Sequence, residues 1–143
     1  MHVLVTEAHF GGSDRLIQRL RALGVRVTGC HDKVGYCRVL QSGGSCPLDA
    51  FTDRVDLVVD VRGAGEELTA REYGAVCAVR DRRPVLIVGV DPDVPVVIPA
   101  GLRGHAIATT EEELVTMCLR RDQTLAAARL GWPGRPPTGA DLR

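Results

Sequence analysis

"VDLVVDVRGAGEELTAREYGAVCAVRDRRPVLIVGV", residues 55–90, begins and ends with nearly continuous β-branched runs, residues 55–61 and 84–90. A strand with one wet face alternates apolar and polar residues, so unbroken runs like these read as parallel strands buried on both faces. Residues 69–81 between them read as a helix. Strand, helix, strand is the crossover unit that builds a parallel sheet.

The same alternation extends in both directions. Residues 3–6 form a short apolar run, followed by Gly11 and Gly12 and then by Leu16, Ile17, Leu20 and Leu23 at helical spacing. Ser13 is placed to cap that helix, with Asp14 in its first turn and Gly24 as its stop. Residues 25–30 read as a second strand. Residues 105–109 read as a fifth, leading into a last helix in which Thr110 and Glu113 have capping-box spacing. The expectation is a single α/β domain over residues 1–130. It would be a doubly wound (Rossmann-like or flavodoxin-like) parallel sheet of about five strands, in an order such as 2-1-3-4-5, with helices on both faces. Residues 131–143, WPGRPPTGADLR after Gly131, are rich in proline and glycine and read as an extended or disordered tail, with Trp132 pinning its start.

Composition excludes several classes of function. Eighteen basic residues balance eighteen acidic ones, so no net field gathers nucleic acid or anionic membrane, and neither is expected as a partner. No run of 18 or more apolar residues occurs, and MHVLVTEAHF lacks the pattern of a secretory signal, so a cytoplasmic protein is expected. Lys33 is the only lysine; the remaining basic residues are arginine, a bias that fits a high-GC bacterial genome. A small molecule or a metal is the expected partner, and a homo-oligomer is compatible with the composition. In a doubly wound fold, ligands collect beyond the carboxyl ends of the strands, which draws attention to residues 7–12, 30–54, 62–68 and 91–104.

The opening MHVLVTEAHFGGSDRLIQRLRALGVRVTG resembles the first strand, turn and helix of extended short-chain dehydrogenases and epimerases. That resemblance implies a dinucleotide at the turn. Glu7 and Phe10, however, stand where glycines would let the pyrophosphate approach, so NAD is not expected. EAHFGG is similar to a cobalamin-binding signature, which implies His9 as cobalt ligand and Glu7 as its orienter. The signature's later serine loop and glycine pair are missing at Val61, Arg62, Gly63 and Gly89, so cobalamin is not expected either.

From Asp56 to Gly89 the chain resembles nucleoside 2-deoxyribosyltransferases: Asp56 or Asp60, then Glu72, Tyr73, Gly74, Ala75 and Pro84 follow in that family's order. The resemblance implies an enzyme acting at the glycosidic carbon of a nucleoside or nucleotide, with Glu72 as nucleophile and Asp56 or Asp60 assisting. The same glutamate stands three residues after Thr69, the spacing of a capping box, which gives it a purely structural role.

GCHDKVGYCRVLQSGGSCPLD, residues 29–49, gathers three of five cysteines on a connection far longer than is usual in α/β units. Cys30, Cys37 and Cys46, with His31 or Cys77 as fourth ligand, supply the donors for zinc or an iron–sulfur cluster, with a structural or redox role. An odd cysteine count in a chain expected to be cytoplasmic argues against disulfides. Two further readings stay open. Cys46, at the start of a short helix over residues 47–53, would be a redox thiol, and Cys77 and Cys118 would be ordinary core.

Overall fold

The computed structural model describes residues 1–31 and 35–120. Five strands form one parallel sheet: β1 (His2–Glu7), β2 (Arg26–Gly29), β3 (Leu57–Arg62), β4 (Val85–Gly89) and β5 (Ile107–Thr109), in the order β2-β1-β3-β4-β5. Three helices accompany them: α1 (Asp14–Ala22), α2 (Tyr73–Arg80) and α3 (Glu111–Arg120). The doubly wound α/β fold expected from the buried runs is the fold observed. Among the described residues, no helix is long and apolar enough to cross a membrane. The tail at 131–143, with Trp132, lies outside the described residues.

The pleat sorts the core into two layers. Val5 and Val59 pair across β1 and β3 and, with Leu57 and Val61, face Leu16 and Leu20 of α1 and Leu114 of α3. Leu4, Val58 and Ile87 face the opposite way, against Ala75 and Ala78 of α2. Right-handed crossovers explain the division. From β1 to β2 the chain steps one way across the sheet, and from β2 onward it steps back, so later connections cover the other face.

Among the described residues, the connection from β2 to β3 has no α-helix. It contains one isolated bridge, His31 to Cys37, and two single 3-10 turns, Arg38–Leu40 and Pro47–Asp49. Leu48, Cys30 and Cys46 pack from it onto the α2 layer, doing there what a crossover helix ordinarily does. The helix expected over 47–53 is therefore only the turn Pro47–Asp49. Strand boundaries shift by one or two residues from expectation, β5 beginning at Ile107, and the helix expected over 69–81 starts with a 3-10 turn, Ala70–Glu72, before α2.

Gly24 ends α1 as expected, with φ +79 and its N–H bonded to the Arg21 carbonyl at 3.0 Å. The other end of α1 differs. Ser13 makes no side-chain cap; its N–H and hydroxyl donate to Glu7 Oε2 at 3.0 and 2.7 Å, while Gly11 N–H donates to Oε1 at 3.2 Å. A carboxylate carried on β1 takes the cap's place, where the positive end of the helix dipole favours an anion.

Candidate functional site

Glu7 reaches across to the turn that opens α1, where its carboxylate accepts the Gly11 and Ser13 N–H groups. Arg71 Nη2 donates to it at 2.7 Å, and the Phe10 ring lies 5.3 Å from the Arg71 guanidinium carbon. Burial raises the pKa of Glu7, but the bonds from Ser13, Arg71 and Gly11 outweigh it and hold the carboxyl below its usual range. His9 is exposed in the same turn and is not among the partners of Glu7. The orienting contact implied for a cobalt-ligating His9 is thus not made.

Beneath this turn lies a charged network shielded from solvent. The β1–β3 register sets Thr6 beside Asp60, and Thr6 Oγ1 donates to Asp60 Oδ1 at 2.6 Å. Arg62, two residues on and so on the same face, pairs through Nε with Glu72 Oε1. Its Nη1 donates to the carbonyls of Gly65 at 2.8 Å and Val97 at 3.2 Å, and its Nη2 to that of Glu67 at 2.5 Å. Glu72 Oε2 accepts the Thr69 N–H at 2.6 Å, completing the expected capping box, while the Thr69 hydroxyl donates to the Ala8 carbonyl at 2.9 Å. Asp60 and Glu72 are both 0% exposed and Arg62 is 2% exposed. Burial pushes Asp60 up to about 8, reinforced by the neighbouring Glu72. Burial also raises Glu72, but its bonds to Arg62, Asp60 and Thr69 bring it below the usual carboxylate range.

Glu72 thus has both oxygens committed and no exposed surface, the condition of a structural anchor rather than of a nucleophile open to substrate. The two aspartates considered beside it are separated by the length of β3. Asp60 joins Glu72, whereas Asp56 lies at the amino end of the sheet, where its Oδ2 accepts the His2 N–H at 2.8 Å.

The cysteines divide by face. Cys118 is buried in the α1/α3 layer, where desolvation pushes its thiol up to about 11, as expected of plain core. Cys30 is 6% exposed in the α2 layer, and half-buried Cys46 and Cys77 pack against that same cluster. Burial, and then the charges of Cys37, Cys46 and Cys77, push Cys30 up to about 12. Cys77 is raised first by burial and then, among other charges, by Cys46 and Cys37. Cys30, Cys46 and Cys77 thus meet at one cluster from the end of β2, the crossover and the middle of α2, and Cys37 adds to the electrostatics of Cys30 and Cys77. Among the described residues, no group of three or more His, Cys, Asp or Glu side chains is placed to hold a metal ion. His31 faces elsewhere: burial and the Arg71 charge lower its pKa, Glu7 opposes them, and its Nδ1 is buried without a partner.

Sequence reasoning missed Arg62 and Thr6. The available signal was the pair Asp60 and Arg62 within an otherwise apolar strand, two residues apart and hence on one face. A cleft of about 730 Å³ lies at the ends of β4 and β5, lined in part by Asp91 and Val96 of the loop expected to border ligands; there Arg15 and Arg19 bond Glu111, and Arg19 also Glu112, pairs the sequence did not suggest. Compared with known proteins, the chain matches no family model, no curated protein and no solved structure.

Proposed function

We propose that the protein holds a thiophilic metal centre, zinc or an iron–sulfur cluster, through Cys30, Cys37, Cys46 and Cys77, and that the centre staples the long crossover to α2. The observation that carries this reading is that Cys30, Cys46 and Cys77, from the end of β2, the crossover and α2, pack against one hydrophobic cluster, with Cys37 on the same crossover. Uncompensated thiolates so placed repel one another. A cation reverses that, because coordination deprotonates its ligands and repays the entropy of ordering a long loop. Thiolates select zinc or iron–sulfur over magnesium or calcium. Cys77 is a better fourth ligand than His31, since the charges that act on His31 are those of Arg71 and Glu7, not those of the thiols.

Elemental analysis and an absorption spectrum of anaerobically purified protein test this. Stoichiometric zinc without colour identifies a zinc staple; iron with sulfide and a broad visible band identifies a cluster. Protein that arrives metal-free and takes up neither on reconstitution refutes it. Cys37→Ser should abolish binding while the sheet stays folded, because Cys37 is carried on the crossover, outside the sheet.

A further inference from the structure

We propose that Asp60 and Glu72 share one proton inside the fold and that this proton keeps α2 seated on the sheet, so that losing it frees the Cys77 arm of the thiol site. The consequence for the thiol site rests on the metal-centre reading above; the shared proton does not.

The geometry comes first. Two carboxyl groups and one guanidinium are sealed from solvent, so one carboxyl has no countercharge if both ionise. Arg62 spends its Nε on Glu72 and three further bonds on the carbonyls of Gly65, Glu67 and Val97. Its Nε lies 3.7 Å from Asp60 Oδ2, beyond hydrogen-bond distance. Asp60 Oδ1 is satisfied by Thr6, whereas Oδ2 is buried with no donor. A bare carboxylate oxygen in that position is costly. A proton on Oδ2 turns it into a donor, with the Glu72 carboxylate as its acceptor, and leaves one negative charge opposite one positive charge. The groups facing Asp60 are Glu72 from the turn that opens α2, Arg62 on its own strand and the neutral Thr6 hydroxyl from β1; the position opposite it on β4 is Ile87. Its displaced acidity puts the release of the proton within reach of mildly alkaline solution.

The mechanical consequence follows from what Glu72 holds. Its carboxylate fixes the Thr69 N–H at the head of α2, and two residues on, Gly74 lies against Thr6 and Cys30. Cys77 is one turn further along the same helix. Deprotonation leaves two adjacent buried anions on one guanidinium, and their repulsion acts at the turn where α2 is anchored.

The test is a carbon-13 titration of the aspartate carboxyls in the full chain, with amide exchange of α2 measured across the same pH range. One aspartate should titrate with a midpoint near 8. The signal should vanish in Asp60→Asn, and α2 protection should fall across that midpoint in wild type but not in the variant. Thr6→Val, which removes the bond that favours the ionised form, should move the midpoint upward; this keeps the assignment testable if Asp60→Asn folds poorly. No aspartate titrating above the ordinary range, or α2 protection that ignores the transition, overturns the proposal. In metal-loaded protein, Cys77 should become open to alkylation above the midpoint in wild type and stay closed in Asp60→Asn. A chain that never binds metal but shows the titration removes the metal reading alone.

Discussion

The sulfur of Cys30 lies 2.5 Å from where a β-carbon would stand on Gly74, and Thr6 Cγ2 lies 2.8 Å from the same point. Only glycine lets α2 come this close to the ends of β1 and β2. Gly74→Ala adds one methyl to a filled contact, and overpacking of this kind costs about 1–3 kcal/mol. A lowered midpoint in urea unfolding is the expected outcome, together with weakened metal binding as Cys30 is displaced.

The Arg62–Glu72 pair calls for a double-mutant cycle. Removing one partner of a buried ion pair leaves an uncompensated charge and costs about 3–5 kcal/mol. Arg62→Met should therefore be severe, with the Gly65, Glu67 and Val97 carbonyls also losing their donor. Adding Glu72→Gln should recover part of that loss, so that the double variant unfolds at higher urea than the two single effects predict. Additive effects would show that the two side chains act independently.

Stability should pass through a maximum in mildly acidic solution. Asp60 has a folded value of about 8 against a model value of 3.8. Between those values the folded protein holds a proton that the unfolded chain has released. Asp60 therefore lowers stability as pH rises through that window, by up to about 1.4 kcal/mol per unit, and its effect levels off above the folded value. Glu7 and Glu72 have depressed values, so their contribution is present above the unfolded carboxylate range and is lost on acidification through their folded values. Asp60→Asn carries no titrating group, and its thermal midpoint relative to wild type should rise steadily with pH across the window. A constant difference from acid to pH 8 would contradict this assignment.

The parallel sheet covered on both faces was legible in the chain because the cores of the two β-branched runs, residues 57–61 and 85–88, are buried on both faces and so lack the alternation of a strand with one wet face. The capping box at Thr69 and Glu72 was legible for a similar reason, since the spacing is local. The cap on α1 was not: Ser13 has the right chemistry next to the helix, but Glu7 arrives from the strand with two oxygens and a full charge. The Thr6–Asp60–Arg62–Glu72 network was equally hidden, because the register of β1 on β3 and the landing point of α2 decide which charges meet. Likewise, the separation of Asp56 from Glu72 depends on which end of β3 each lies at. The convergence of Cys77 on the crossover was half visible: Cys77 was placed on α2, but its packing with Cys46 against one cluster depends on how the long crossover lies over that helix.

The most direct test of the central claim counts thiols against metal in one titration. Zinc, or iron with sulfide, is removed from anaerobic protein by a chelator while free thiols are followed with a chromogenic reagent, each released thiol being located by mass mapping. The account predicts that Cys30, Cys37, Cys46 and Cys77 are protected together and appear together as the metal leaves, with Cys118 unaffected by the chelator. Four thiols that react at independent rates, unchanged by added or removed metal, would contradict it.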